Sequence, residues 1–373
     1  MPFRVLRLLS FLAVASCLAV AVPSRADANE ARVVSPEHTG NAMDPQWSPD
    51  GQKIAYEVAN SQDKFTDLYV LTMGAGEERI RPSAGASGLS GRFVQQKQVN
   101  HEFAWSPSNQ LYAFASSGSN NDFDLYLRGV TVPIGTPQKE GGAAFSSDGR
   151  KIAYCSAVSG EGDLYLLDIY ALEKEPKRLT FAEGLDFYAT WSPSSQQLAY
   201  AAMSEDGANI HVIDDVANPR SSDRALTSWK SNQIKPAWSP DGNWIAFFSN
   251  HGQQDHTQFD AYVVPSVGGQ PFRVATNVVP PERRGPTWTP DSKSIVLVRN
   301  DPNLGDPLIR IDMTTGSEEI LPTGTVNNAE PNLFDNKAAG TWKVSFVSQG
   351  KRGSKAQKWR RIWVYEMKAA SRP

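Results

Sequence analysis

Cysteine is nearly absent from this chain: Cys17 and Cys155 are the only two among 373 residues. Cys17 falls in an amino-terminal apolar run, so the remainder holds one thiol, and a disulfide framework is excluded. The fold must rest on its own core, which a chain of this length can bury. Excess positive charge is lacking too. Lys and Arg number 37 against 40 acids, a formal charge of -3, which argues against nucleic acid as a partner. There is no Gly-x-Ser-x-Gly elbow and no strand-helix-strand pattern to carry one, which removes an α/β-hydrolase. His101-Glu102 has Trp105 where a zinc peptidase needs its second histidine. Nor does a glycine-rich loop join a strand to a helix to cradle phosphate.

The one apolar run, Leu8 to Val22, follows Arg4 and Arg7 and precedes Pro23-Ser24-Arg25-Ala26. That order predicts a signal peptide over residues 1–26 and export to a bacterial periplasm or beyond. The run is broken by Ser10 and Ser16-Cys17 and is short for a membrane span, so no transmembrane segment is expected after cleavage. Val14-Ala15-Ser16-Cys17 also resembles a lipobox, which leaves a lipoprotein acylated at Cys17 as the alternative.

What is present is repetition. "QWSPDGQKIAY" at 46 returns as "FAWSPSNQLYAFAS" at 103, "AAFSSDGRKIAYCS" at 143, "ATWSPSSQQLAYAA" at 189, "PAWSPDGNWIAFFS" at 236 and "PTWTPDSKSIVLVR" at 286; a worn seventh copy starts near Asn332. The anchors Trp47, Trp105, Phe145, Trp191, Trp238, Trp288 and Phe334 lie 58, 40, 46, 47, 50 and 46 residues apart, the period of propeller blades. In each copy an aromatic strand enters a Ser-Pro-Asp-Gly-like turn, and a second strand apolar at both parities follows, as expected of a strand covered on both faces. A third strand opening on Asp or Asn and a short fourth complete the unit. The reading is all-β: a propeller of four-stranded antiparallel blades, seven in number with six as the alternative, forming one domain over residues 27–373. The last copy has no fourth strand of its own, and "ARVVS" at residues 31–35 is expected to supply it and close the ring. Residues similar to Ser48 and Asp50 recur from copy to copy, so they read as turn chemistry and not as a site.

The repeats resemble the WD40-like propeller repeats of the TolB type, over nearly the whole chain after residue 26. TolB carries an α/β domain before a six-bladed propeller; only about 20 residues precede the first repeat here, so that domain is expected to be missing. The resemblance implies a non-catalytic scaffold of the cell envelope that binds another envelope protein, as a monomer.

Function is therefore sought on the face that carries the loops between second and third strands and the connections between blades, around the channel mouth. Asp44, His101, Glu102, Asp186, Tyr188, Lys235, Arg283, Arg284 and Glu330 fall there. The last blade's loop, "SQGKRGSKAQKWRR", adds Lys351, Arg352, Lys355, Lys358, Arg360 and Arg361 around Trp359 with no acid, a patch suited to an acidic protein or an anionic glycan. An insertion after the first blade contributes Arg92, Gln95, Gln96 and Lys97. No cofactor is expected. The alternative is a glycan-binding or metal-dependent carbohydrate-active propeller, a lyase or hydrolase, with a divalent ion at His251, Asp255 and His256 beside Asp260.

Overall fold

A computed structural model describes residues 30–60, 65–80, 99–117, 123–128, 138–355 and 357–369. Strands dominate, and all but the short pair Thr325–Val326 and Gly350–Lys351 belong to seven antiparallel sheets that follow one another along the chain. Blade 1 runs Asn41–Trp47, Lys53–Asn60, Phe65–Thr72 and Gly76–Ile80. Blade 2 shows three strands among the described residues, Asn100–Trp105, Tyr112–Ser117 and Phe123–Leu127. Blades 3 to 6 open at Glu140, Asp186, Gln233 and Thr287. Blade 7 comprises Ala329–Asn336, Thr341–Ser348 and Arg361–Lys368, and Arg32–Val33 adds its outer strand, Arg32 opposite Val364 and Val33 opposite Trp363. The ring thus closes as the leftover amino-terminal strand predicted.

The core is divided. Each of its seven buried clusters lies between two neighbouring blades, and together they go once around the circle. The second strands show why apolar residues occupy both parities: Ile54 and Tyr56 pack toward blade 7, while Ala55 between them packs toward blade 2. The first strands pack side by side around the centre and line the channel.

The repeated turn is structural. Ser48 Oγ donates to Asp50 Oδ1 at 2.6 Å and accepts from the Lys53 amide at 2.9 Å, and Ser48 is fully buried. Ser146 with Asp148, and Thr289 with Asp291, repeat the first of these bonds. Four of the five anchor tryptophans are staples as well as wedges. The indole N–H groups of Trp105, Trp191, Trp238 and Trp288 donate to the carbonyls of Gln46, Ala144, Thr190 and Ala237, each the residue before the previous blade's anchor.

The seventh anchor needs correction. Leu333 pairs with Val344 as Trp47 pairs with Ile54, so Leu333, not Phe334, holds the anchor position. Without tryptophan or a Ser-Pro-Asp-Gly turn the strand runs on to Asn336, and the aromatic side chain lands one residue later. Phe334 still packs on Trp47, ring centroids 5.7 Å apart.

Candidate functional site

In six blades the channel-lining strand carries a β-bulge at the same place. The bulge holds one residue with left-handed backbone: Asp44, Glu102, Gly142, Tyr188, Lys235 and Glu330, with φ between 48° and 65°. Such a backbone costs a non-glycine residue about 1–2 kcal/mol, and bulges re-aim side chains. Here they turn Asp44, Glu102, Tyr188, Lys235 and Glu330 toward the channel, at sequence positions fixed by the anchors.

Across that channel lies a bar of two arginines. The connection from blade 5 to blade 6 presents Arg283 and Arg284, which reach the far side of the ring. Arg284 Nε lies 3.1 Å from Asp44 Oδ1 with Nη2 on the same oxygen, and its Nη1 donates to the Pro45 carbonyl at 2.9 Å. Arg283 Nε lies 3.1 Å from Glu57 Oε1, and its Nη1 lies 3.2 Å from Glu102 Oε1. The carboxylates are bound in turn: the Glu102 amide donates to Glu57 at 2.8 Å, and the Asp44 amide donates to Glu330. Lys235 donates to the Pro281 carbonyl, holding the connection that carries the bar, and lies 5.3 Å from the Tyr188 ring centroid. His101 Nδ1 sits 3.4 Å from Glu102 Oε1.

Two cavities use the bar as a common wall. One, of about 380 Å³, is bounded by Lys235, Trp238 and Trp288; the other, of about 400 Å³, by Asp44, Glu102 and Gly142. Burial dominates the electrostatics. It pushes the Glu57 carboxyl up to about 8 against the pull of Arg283, and Glu330 up to about 7, with Asp44 adding to both. Burial also acts on Glu102, but His101 and Arg283 outweigh it and hold that carboxyl below the usual range. Burial lowers Lys235, whereas Glu57 and Glu102 outweigh burial and raise Arg283.

Glu57 is the member that sequence reasoning missed. It stands in "IAYE" where the other second strands read "IAYC", "LAYA" and "IAFF", so an acid in an apolar strand was the available signal.

Asp186 sits away from this cluster, between blades 3 and 4, with its amide donating to the Gly162 carbonyl at 2.9 Å. In blades 2 and 3 the residue at its position is capped by a paired serine: Ser116 donates to Asn100, and Ser156 to Glu140. The residue paired with Asp186 is Ala202, which has no hydroxyl, and Asp186 Oδ2 is buried with no hydrogen-bond partner among the described residues. Burial, with Asp163 and Asp223 nearby, pushes its carboxyl up to about 7.

The basic loop of blade 7 is pinned at its base by pairing of Gly350–Lys351 with Thr325–Val326. Lys355 and Lys358 are exposed, Trp359 and Arg360 half-buried, and Lys358 lies 4.8 Å from the Trp359 ring centroid. His251, Asp255 and His256 are engaged separately: His251 stacks on Trp229, Asp255 accepts from Thr257, and the His256 carbonyl accepts from Asn250. Among the described residues no three His, Cys, Asp or Glu side chains converge as metal ligands would. Arg92, Gln95, Gln96, Lys97 and Cys17 lie outside the described residues.

The profile of a family described as the TolB beta propeller domain matches residues 136–349, more than half of the chain. An uncharacterized peptidase, YuxL, of Bacillus subtilis is 25% identical over 235 residues, 60% of this chain and 32% of that protein. The chain therefore spans about a third of that curated relative's length. Among solved structures, TolB from Acinetobacter baumannii is similar over 80% of this chain and 67% of its own, with a TM-score of 0.51 at 16% identity. Oligogalacturonate lyase from Vibrio parahaemolyticus is similar over 88% and 89%, with a TM-score of 0.57 at 13% identity. At such identities the likeness is one of fold.

Proposed function

Because the chain belongs to the TolB beta propeller domain family, we propose that it is an exported, non-catalytic scaffold that binds a protein partner, or another anionic ligand, at the mouth of its channel. The arginine bar carries this reading. The channel's charged groups neutralise one another across the ring, which fixes a preorganised mouth. The guanidinium groups are more accessible than the two acids buried against them: Arg283 and Arg284 side chains are 27% and 19% exposed, Glu57 and Asp44 1% and 2%, while Glu102, at 25%, is about as open as Arg283. An incoming carboxylate meets cationic groups already held in place, which reduces the cost of ordering on binding. Cys155, the one thiol beyond residue 17, is pushed up to about 12 by burial, which leaves little thiolate for nucleophilic work. Export follows from the character of residues 1–26. Among the described residues no helix is long and apolar enough to cross a membrane.

A second reading has one observation in its favour. Glu57, pushed up, and Glu102, held down, face the same guanidinium, and two carboxyls with diverging proton affinities are the pattern of acid–base work on a glycan. A photocrosslinking residue in place of the exposed Glu282, beside the bar, separates the two. One dominant envelope protein crosslinked, with no turnover of polyuronate or other glycans with or without divalent cations, is the expected result. Glycan turnover that disappears in Glu57→Gln would overturn the scaffold reading.

A further inference from the structure

On the same face, diametrically across the ring from the basic loop of blade 7, a groove of about 830 Å³ opens between blades 3 and 4. Three segments form it: the loop between the second and third strands of blade 3, the connection into blade 4, and the corresponding loop of blade 4. Its acids are Glu161, Asp163, Glu183 and Glu205, and its one cation is Arg178. Arg178 is already held by Asp163 at 2.8 Å, so the remaining three acids are uncompensated within the groove. Glu161, Glu183 and Glu205 are exposed, whereas the adjacent Asp206 lies 3.4 Å from Lys230 Nζ and is compensated.

Between those acids the surface is apolar. Leu185 and Met203 line the groove with 38% and 36% of their surface exposed, and Val158, 47% exposed, adjoins it. Leucine, methionine and valine left open beside a cavity mark a place where another molecule is expected to cover them. A fixed acidic rim around an apolar floor selects a complementary occupant.

We propose that this groove docks a basic, extended segment of a partner polypeptide, with an apolar side chain seated on Leu185 and Met203 and flanking Lys or Arg residues facing Glu161, Glu183 and Glu205. Charge complementarity favours this occupant over an acidic segment or an anionic glycan, which would meet like charge. The placement polarises the mouth face, since a partner covering it whole would lay its basic side on blades 3 and 4 and its acidic side on blade 7. The proposal stands apart from the channel reading, because none of its residues belongs to the arginine bar.

The test uses the full chain and the synthetic peptide acetyl-Lys-Leu-Lys-Phe-Lys-Leu-amide, with its Lys→Glu counterpart as control, by isothermal titration. The basic peptide should bind and weaken about tenfold between 50 and 500 mM NaCl. Binding should also fall about tenfold in Glu183→Lys/Glu205→Lys and in Leu185→Ser, while the acidic peptide does not bind. These positions are exposed, and unchanged melting temperatures would show that the variants fold. Failure of both peptides to bind, or binding indifferent to the substitutions, would overturn the proposal and leave the Glu282 crosslinking result untouched. Concentration-dependent self-association in sedimentation velocity, lost in Glu183→Lys/Glu205→Lys, would instead assign the groove to the blade 7 loop of a second copy and overturn the partner assignment.

Discussion

Arg284 grips a carboxylate that is itself almost wholly removed from water, and that asymmetry sets the effect of its loss. Arg284→Met would leave Asp44 buried beside Glu330 without a counter-charge, an arrangement that typically costs about 3–5 kcal/mol. Urea unfolding should show that loss, and Asp44→Asn added to it should restore part of the stability. Glu57, Glu330 and Asp186 predict a pH dependence. Unfolded, these acids release their protons near pH 4–4.5; folded, burial holds them to about 8, 7 and 7. The stabilisation is complete below the unfolded values and is lost as pH rises through the folded ones, because the native state binds more protons in between. Calorimetry should therefore find a melting temperature about 5 °C lower at pH 8 than at pH 5, with a shallower slope in Glu57→Gln. Ala202→Ser, which gives Asp186 the donor that its counterparts have, should stabilise by about 1 kcal/mol.

At the scale of strands and turns, the tryptophan staples separate two uses of one residue type. Trp238→Phe removes a donor from the Thr190 carbonyl and should cost about 1 kcal/mol beyond its packing loss. Trp47, whose indole nitrogen has no partner among the described residues, should lose packing alone. Chemical denaturation of the two variants makes the comparison. Most of this layer was legible in the sequence, because the turn, the anchor and the two-sided second strand each follow from local chemistry repeated in the first six copies. The anchor of blade 7 was displaced by one residue because its turn signals are worn away, leaving the aromatic residue as the remaining marker. The bulge positions were readable once the anchors were placed. The bar was not, since Arg283 meets Glu57 across 226 positions and nothing local announces which charges face each other over a channel.

For the whole molecule, the seven interfaces and the polarised mouth make separate predictions. Reversing the exposed Lys355 and Lys358 to Glu should leave the melting temperature nearly unchanged, as exposed charges contribute little to stability, yet abolish capture of an anionic partner at the mouth. Crosslinking from Glu282 in that variant measures the effect. Deleting residues 27–36 should do the reverse and lower the melting temperature by well over 10 °C, since blade 7 loses an outer strand and the ring regains an open edge.

That closing strand also imposes an order in time. Val33 pairs with Trp363, 330 positions later, so a chain delivered from its amino terminus presents one half of the contact long before the other exists. Blades 1 to 6 can settle against one another as they arrive, but the last interface must wait for nearly the whole polypeptide. Until then Arg32 and Val33 are a strand without a sheet, and a holding chaperone that covers this short segment would decide when the circle locks.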